Sequence, residues 1–469
     1  MSLLSFAKDF FIFRNYSITF NTIFTAVFIL LLVIVTIAYA WIPGSILTVD
    51  HTEAVTDSCK TSSTIACSRQ FENLPVMPRF LPHSNEVELY NDDSEFSNEL
   101  HREFSTIKYQ VHGTELEAMT AVQMALKMKD SMKIEKAKRL FEHALDLQPL
   151  HPEVLNHYAE FLEENNNDVI TADHLYVKVL ILCPNHSRAL VNRTRTMPLV
   201  EAMDRKELQR IDRKRIDLVT LNPNQSAMKR IRKEVYFLHI HHTLALEGNT
   251  MTLSETRAVV ETKTAVPGKS IMEHNEILGL ESALKYINKT LVNISKRLTV
   301  FDILEIHKRV IGHVDPLSAG TFRRRQVFVG DYVPPPASEV EYLMEQFIEY
   351  LQSDNMQLLH PVKRAAVVHY RLAHIHPFVD GNGRTARLLM NLILMRAGYP
   401  PVIIRKQDRS VYYSTMQMAN EGDIRPFIRF IAHCTECTLD VFFNAREYDG
   451  PCFRALEPRT TNFSDAISL

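Results

Sequence analysis

His376-Pro377-Phe378-Val379-Asp380-Gly381-Asn382-Gly383-Arg384-Thr385-Ala386-Arg387 decides how this chain is read. The histidine ends an apolar-periodic segment that begins at Pro361, and the proline after it stops the helix. A loop of Asp, Gly, Asn and Gly follows, and two arginines open the next helix. Such a loop turns several backbone N–H groups toward one point at a helix N-terminus, which makes a seat for phosphate. Arg384 and Arg387 can neutralise a polyphosphate, Asp380 can hold its cation, and His376 can take a proton from a hydroxyl. These residues point to nucleotide chemistry.

The surroundings read as helices. Leu388, Leu389, Leu392, Ile393 and Met395 form a buried helix stopped by Gly398 and Pro400-Pro401, and a last helical pair spans Val411–Asn420 and Ile424–Ala445. Upstream, 301–313 and 338–352 are helical, and Arg325–Gly330 between them alternates as a short strand. Ended by Pro334-Pro335-Pro336, that strand reads as half of a hairpin flap whose edge can pair with an extended peptide. His374 and His376 lie on different helix faces with no third ligand near, which argues against zinc. Cys434 and Cys437 form a C-x-x-C without a second pair and read as ordinary cysteines rather than a metal or redox site.

Farther upstream, a helix from Ala227 ends in Thr243-Leu244-Ala245-Leu246-Glu247-Gly248-Asn249, with Gly248 suited to a left-handed stop. Thr252 and Glu255 then make a capping box for the next helix. Taken alone, Glu247 is a charged residue at a helix end.

Before it lies a repeat. Ala137, Phe141, Ala144 and Pro149 recur 35 positions later as Ala172, Tyr176, Val179 and Pro184, with Ala125 and Ala159 where paired helices cross. Two such hairpins need a capping helix, which 199–219 supplies after Pro198, with Arg210–Arg215 as its solvated face.

The 469 residues suffice for two or three domains, and 13 Gly in that length favours helices over turn-rich β structure. Lys plus Arg number 53 against 55 Asp plus Glu, a net charge of -2 that gives no reason to expect a nucleic-acid partner. Ile23–Ile42 is apolar and long enough to span a membrane, with Tyr39 and Trp41 at its far edge. Lys8 and Arg14 precede it, whereas Asp50, Glu53 and Asp57 follow, so a single-pass type II protein with a translocated bulk is expected. Sequons at Asn185, Asn192, Asn224, Asn288, Asn293 and Asn462 lie on that side, and Cys59 and Cys67 could bridge there. The expected division is a cytosolic 1–22, an anchor 23–43, a stalk 44–112, repeats 113–148 and 149–190, a linker helix 191–226, a catalytic domain 227–446 and a tail 447–469.

His-Pro-Phe-x-x-Gly-Asn-Gly-Arg-x-x-Arg resembles the signature of the Fic family of nucleotidyl transferases, and Thr243-x-x-x-Glu247-Gly248 resembles that family's inhibitory motif. With an anchor and what look like two tetratricopeptide repeats, the chain is similar to the animal members of the family. The resemblance implies a mainly α fold: an all-α Fic domain with a small β-hairpin flap. It implies that His376 is the base for a target hydroxyl, that ATP gives up AMP to it, and that Asp380 binds Mg²⁺ or Mn²⁺. Gly381, Asn382, Gly383, Arg384, Thr385, Ala386 and Arg387 would hold the phosphates. Tyr412, Tyr413 and Asn420 would surround the adenosine, and Val329, Gly330, Asp331 and Tyr332 would form the flap beside nucleotide and target. It further implies that Glu247 blocks Arg387 and also serves the reverse removal of AMP. The implied setting is the endoplasmic reticulum membrane, with the lumenal chaperone BiP as substrate, docked by the repeats, and a homodimer touching at Ile271. Two other readings stay open: a Fic enzyme moving a different phosphate-linked group, and a repeat scaffold whose Fic core only senses nucleotide.

Overall fold

Four helices, α1 (114–130), α2 (Ile134–Leu147), α3 (Pro152–Asn165) and α4 (Val169–Leu182), pack as successive hairpins. The structure is a computed structural model that describes residues 114–165, 167–220, 226–293, 297–330 and 332–447. The apolar segment at 23–43, the stalk with Cys59 and Cys67, Asp331, Asn224, Asn462 and the tail beyond Glu447 lie outside the described residues. Among those described, no helix is long and apolar enough to cross a membrane.

The repeated positions lie where these helices pair. Ala137, Phe141, Ala144, Ala172, Tyr176 and Val179 are all buried in one cluster, as are the crossing residues Ala125 and Ala159. Phe141 packs against Phe161 and Tyr158 with ring centroids 5.0 and 5.8 Å apart. Small residues at the crossings let the helices approach, and the aromatic fills the space between them.

The capping helix differs from the expectation. It does not begin after Pro198 but runs as α5 from Ser187 to Thr220, straight through that proline. An interior proline costs about 3 kcal/mol. Burial at both ends outweighs it, because Ala189, Thr196 and Val200 face one side of the chain's core while Leu208 and Ile211 are buried farther along. The Arg210–Arg215 run is likewise not a free solvated face. Arg210 makes a two-pronged bond to Glu436 (2.6 Å each), Lys214 donates to Asp440 (2.6 Å), and Asp212 accepts from Tyr399 (2.5 Å).

The remaining helices form one core: α6 (Ser226–Leu246), α7 (Leu253–Thr262), α8 (Ile271–Tyr286), α9 (Val300–Ile311), α10 (Val340–Gln352), α11 (Asp354–Leu358), α12 (Pro361–Ile375), α13 (Asn382–Arg396), α14 (Arg409–Asn420) and α15 (Arg425–Glu447). α13 is central, with Leu388, Leu389, Met390, Leu392 and Leu394 all fully buried, as a helix apolar all round must be. It pairs with α12, so the loop joining them is fixed from both sides. C-x-x-C sits on α15 with both thiols free, and burial pushes the Cys434 thiol up, away from reactivity.

The strand expected over Arg325–Gly330 is reduced to a single antiparallel bridge, Val329 with Tyr332, joined by bonds of 2.9 and 3.0 Å. With a triple proline behind it, the segment has no ladder to extend, and side chains hold it instead. Gln326 donates to Pro334 O (2.8 Å), and the Tyr332 hydroxyl donates to His374 O (2.9 Å).

Candidate active site

α12 ends at Ile375, and His376 follows in the left-handed region at φ 51°, its N–H closing on Leu372 O (3.0 Å). That conformation costs a non-glycine residue on the order of 1 kcal/mol, and Arg323 over-determines it. The buried Arg323 side chain donates to His376 O (2.7 Å), while its own N–H donates to Pro377 O (2.9 Å). The same guanidinium bonds Arg325 O and Pro335 O, so one residue ties the flap to the histidine loop.

The His376 ring is oriented by its Nδ1, 3.1 Å from Ala373 O. A carbonyl only accepts, so Nδ1 carries the proton and Nε2 presents a lone pair. Burial lowers the ring's pKa, which keeps it neutral and basic at pH 7.

The loop is clamped from below. Phe378 stacks on His307 at 3.6 Å with planes 4° apart. Asn382 donates to Phe378 O (2.8 Å) and accepts from its N–H (2.9 Å). The Asn382 side chain therefore closes the loop and leaves only its backbone for a ligand. His307 Nδ1 accepts from the Gly320 N–H (3.0 Å), so Nε2 donates to Asp380 O (2.9 Å), and burial pushes its pKa down to about 4. Gly381 caps α13 at φ 79°, where a Cβ would sit 2.7 Å from Ile311. Thr385 is the donor that closes the first turn, on Gly381 O (2.9 Å). The N–H groups of Asn382, Gly383 and Arg384 thus precede the helix's own bonding. The Thr385 and Ala386 side chains are buried, and the Thr385 N–H is already used within the helix.

Arg384 reaches Asp380 (2.6 Å) and, more loosely, Glu276 (3.4 Å). Burial raises the Asp380 pKa, but the Arg384 charge and the Gly381 N–H (2.6 Å) outweigh it and hold the carboxyl below its usual range. Its side chain is still 60% exposed, facing outward. One open carboxylate beside a phosphate seat suits Mg²⁺, which takes few protein ligands and fills its shell with phosphate and water. No cluster of three metal-ligating side chains occurs among the described residues.

Arg387 is buried. Its Nη2 donates to Glu247 Oε1 (2.5 Å) and Thr243 O (2.9 Å), and its Nη1 to the Tyr412 hydroxyl (3.4 Å). Arginine only donates, so that hydroxyl donates its own hydrogen bond to His369 Nε2 (3.0 Å). Tyr412 is thereby a buried support for Arg387, whereas Tyr413 beside it is 43% exposed. Asn420 Oδ1 accepts from the Tyr370 hydroxyl (3.2 Å). Glu247 follows α6 at a turn where Gly248 takes φ 103°. Its carboxylate lies over Gly383: a Cβ there would be 2.4 Å from Glu247 Oε1. The acid thus occupies the space in front of the α13 N-terminus.

The Fic/DOC family profile matches residues 297–394. Protein adenylyltransferase Fic of Aedes aegypti is 56% identical over 337 residues, 72% of this chain and 68% of that protein. The chain belongs to the Fic/DOC family. The Drosophila persimilis protein of the same name is 56% identical over 70% of this chain and 64% of its own length, so the chain spans about two thirds of these curated relatives. Fic-1 from C. elegans, a solved structure, matches at TM-score 0.66 and 40% identity, over 70% of this chain and 98% of that one. By its relatives the chain is a protein adenylyltransferase. Arg323, His307 and His369 carry no motif and were not legible beforehand; each acts through a backbone carbonyl or a second side chain.

Ile271 is 79% exposed at the start of α8, with Met272 exposed beside it. Of the described sequons, Asn185, Asn288 and Asn293 are exposed, while Asn192 is buried and bonded to Glu160 (2.9 Å).

Proposed function

We propose that the protein transfers AMP from ATP to a hydroxyl side chain of a lumenal protein and also removes it, with Glu247 setting the direction. The contact of Glu247 with Arg387, beside Gly383 at the α13 N-terminus, carries this reading. For transfer, His376 Nε2 takes the target hydroxyl's proton as its oxygen attacks the α-phosphorus. The bond to the β-phosphate oxygen breaks and pyrophosphate leaves. The N–H groups of Asn382, Gly383 and Arg384 and the Arg387 guanidinium receive the polyphosphate charge. A divalent cation held at Asp380 would neutralise phosphate charge there.

With Glu247 in place, Arg387 is taken and a carboxylate repels the γ-phosphate, so ATP is held unproductively. The same carboxylate can take the proton of a water that attacks the phosphorus of AMP already on a protein. In this direction His376 must start protonated at Nε2, and it gives that proton to the departing side-chain oxygen as the P–O bond breaks. The repeats are the docking surface, the lumenal chaperone BiP the substrate, and residues 23–43 the membrane anchor. A homodimer meets at Ile271, whose exposure suits a contact. Glu273, two residues on, caps α8 and bonds Thr250 (2.6 Å), so a partner there acts on the turn that carries Glu247.

ATP labelled separately at α and γ, given to the protein with a lumenal extract, tests the reaction. Protein-bound α label supports AMP transfer. Bound γ label would mean a kinase-like transfer, and no label in wild type or Glu247→Gly would leave only a nucleotide-sensing scaffold.

A further inference from the structure

The last four carbonyls of any helix lack intrahelical partners, and here all four are answered. Glu247 N and Asn249 N bond Leu244 O, and Gly248 N bonds Ala245 O. The other two are met by arginines from outside: Arg387 on Thr243 O (2.9 Å) and Arg409 Nε on Leu246 O (3.0 Å). The Arg387 contact belongs to the site already described. Arg409 does not: it opens α14, appears in no motif, and takes the carbonyl immediately before Glu247. Its guanidinium also lies 5.3 Å from the centre of the Tyr413 ring.

We propose that Arg409 is a positioning residue that holds the Glu247 turn closed, and that it links this turn to the ring at the adenosine side of the pocket. A charged donor on the final carbonyl stabilises the helix end through both the bond and the dipole. Losing it lengthens the time Glu247 spends away from Arg387 without touching the phosphate seat. Because the same guanidinium rests on Tyr413, a nucleotide that displaces it from that ring loosens the turn as it binds. The proposal rests on the reading of Glu247 as the switch.

The test compares wild type, Arg409→Ala, Arg409→Lys, Glu247→Gly and the double variant Arg409→Ala/Glu247→Gly. Each is followed by protein-bound label from α-labelled ATP and by hydrogen exchange at the amides of residues 247–249. Arg409→Ala should raise transfer about fivefold over wild type, the size of one solvent-competed hydrogen bond lost from the closed state. It should also speed exchange at those amides, and Arg409→Lys should restore both in part. In the Glu247→Gly background Arg409→Ala should add nothing. Transfer lowered equally in both backgrounds, or exchange unchanged, would overturn the proposal and make Arg409 a nucleotide contact only. If Glu247→Gly itself fails to raise transfer, the switch reading falls, while exchange at 247–249 still decides whether Arg409 holds the turn.

Discussion

Glu247 Oε1 lies 2.5 Å from Arg387 Nη2, although 140 residues separate them along the chain. The arginine is buried, so its charge needs an anion at all times: the carboxylate, or phosphate in its place. Burial alone would lower the Arg387 pKa, but the Glu247 charge outweighs this and raises it, so the guanidinium is charged with Glu247 in place. Arg387→Lys keeps the charge and loses the fork that spans Glu247, Thr243 O and Tyr412. Transfer in a Glu247→Gly background should fall about tenfold to a hundredfold on this change. A rate within twofold of the parent would show that a point charge suffices.

The neutral His376 gives a pH prediction. Its pKa is lowered by burial, so the base remains unprotonated to pH values below the ordinary histidine range near 6.5. The acid limb of the transfer rate should therefore fall at a pH below 6.5, with a plateau through neutrality. A limb centred above 6.5 in the profile of Glu247→Gly would contradict this environment. His376→Ala should abolish transfer at every pH.

Arg323 separates target alignment from nucleotide binding. Arg323→Ala frees His376 O, Pro335 O and Arg325 O at once. The rate with protein substrate should drop about a hundredfold while ATP affinity, read by calorimetry, stays within about threefold. Equal losses in both would mean that the residue serves only the fold.

Asp423 anchors the turn after Asn420 to the repeats. It bonds the Arg425 guanidinium twice (2.8 and 2.7 Å) and His174 (3.0 Å), and Arg425 also bonds Asp173. Burial raises its pKa, but Arg425 outweighs that and the net shift is strongly downward. Stability from this group is therefore present above the unfolded value near 4 and is lost as pH falls below it. Asp423→Asn should cost about 3 kcal/mol in urea unfolding at pH 7, and the difference from wild type should shrink toward pH 3. A cost that does not change with pH would place the effect in packing.

The helices, the repeat positions and the loop from His376 to Arg387 could be read beforehand because period and glycine placement are local properties. Pro198 could not: a local rule breaks the helix there, and burial of Ala189 and Ile211 on either side keeps it whole. The flap strand is shorter than alternation suggests for the opposite reason, since Arg325–Gly330 pairs only through the single Val329–Tyr332 bridge. Arg323 and Arg409 were silent because both act on carbonyl oxygens, which every residue has. The resemblance puts Tyr412 beside the adenosine; what its position in the sequence does not show is that its hydroxyl also bonds Arg387 and His369.

The contact between Glu247 and Arg387 is tested most directly by one comparison. A target protein already carrying labelled AMP and a fresh target with α-labelled ATP are each incubated with wild type and with Glu247→Gly. The account predicts label transferred at least tenfold faster by Glu247→Gly and label released only by wild type. Equal transfer by the two proteins, or release by Glu247→Gly at the wild-type rate, would contradict it.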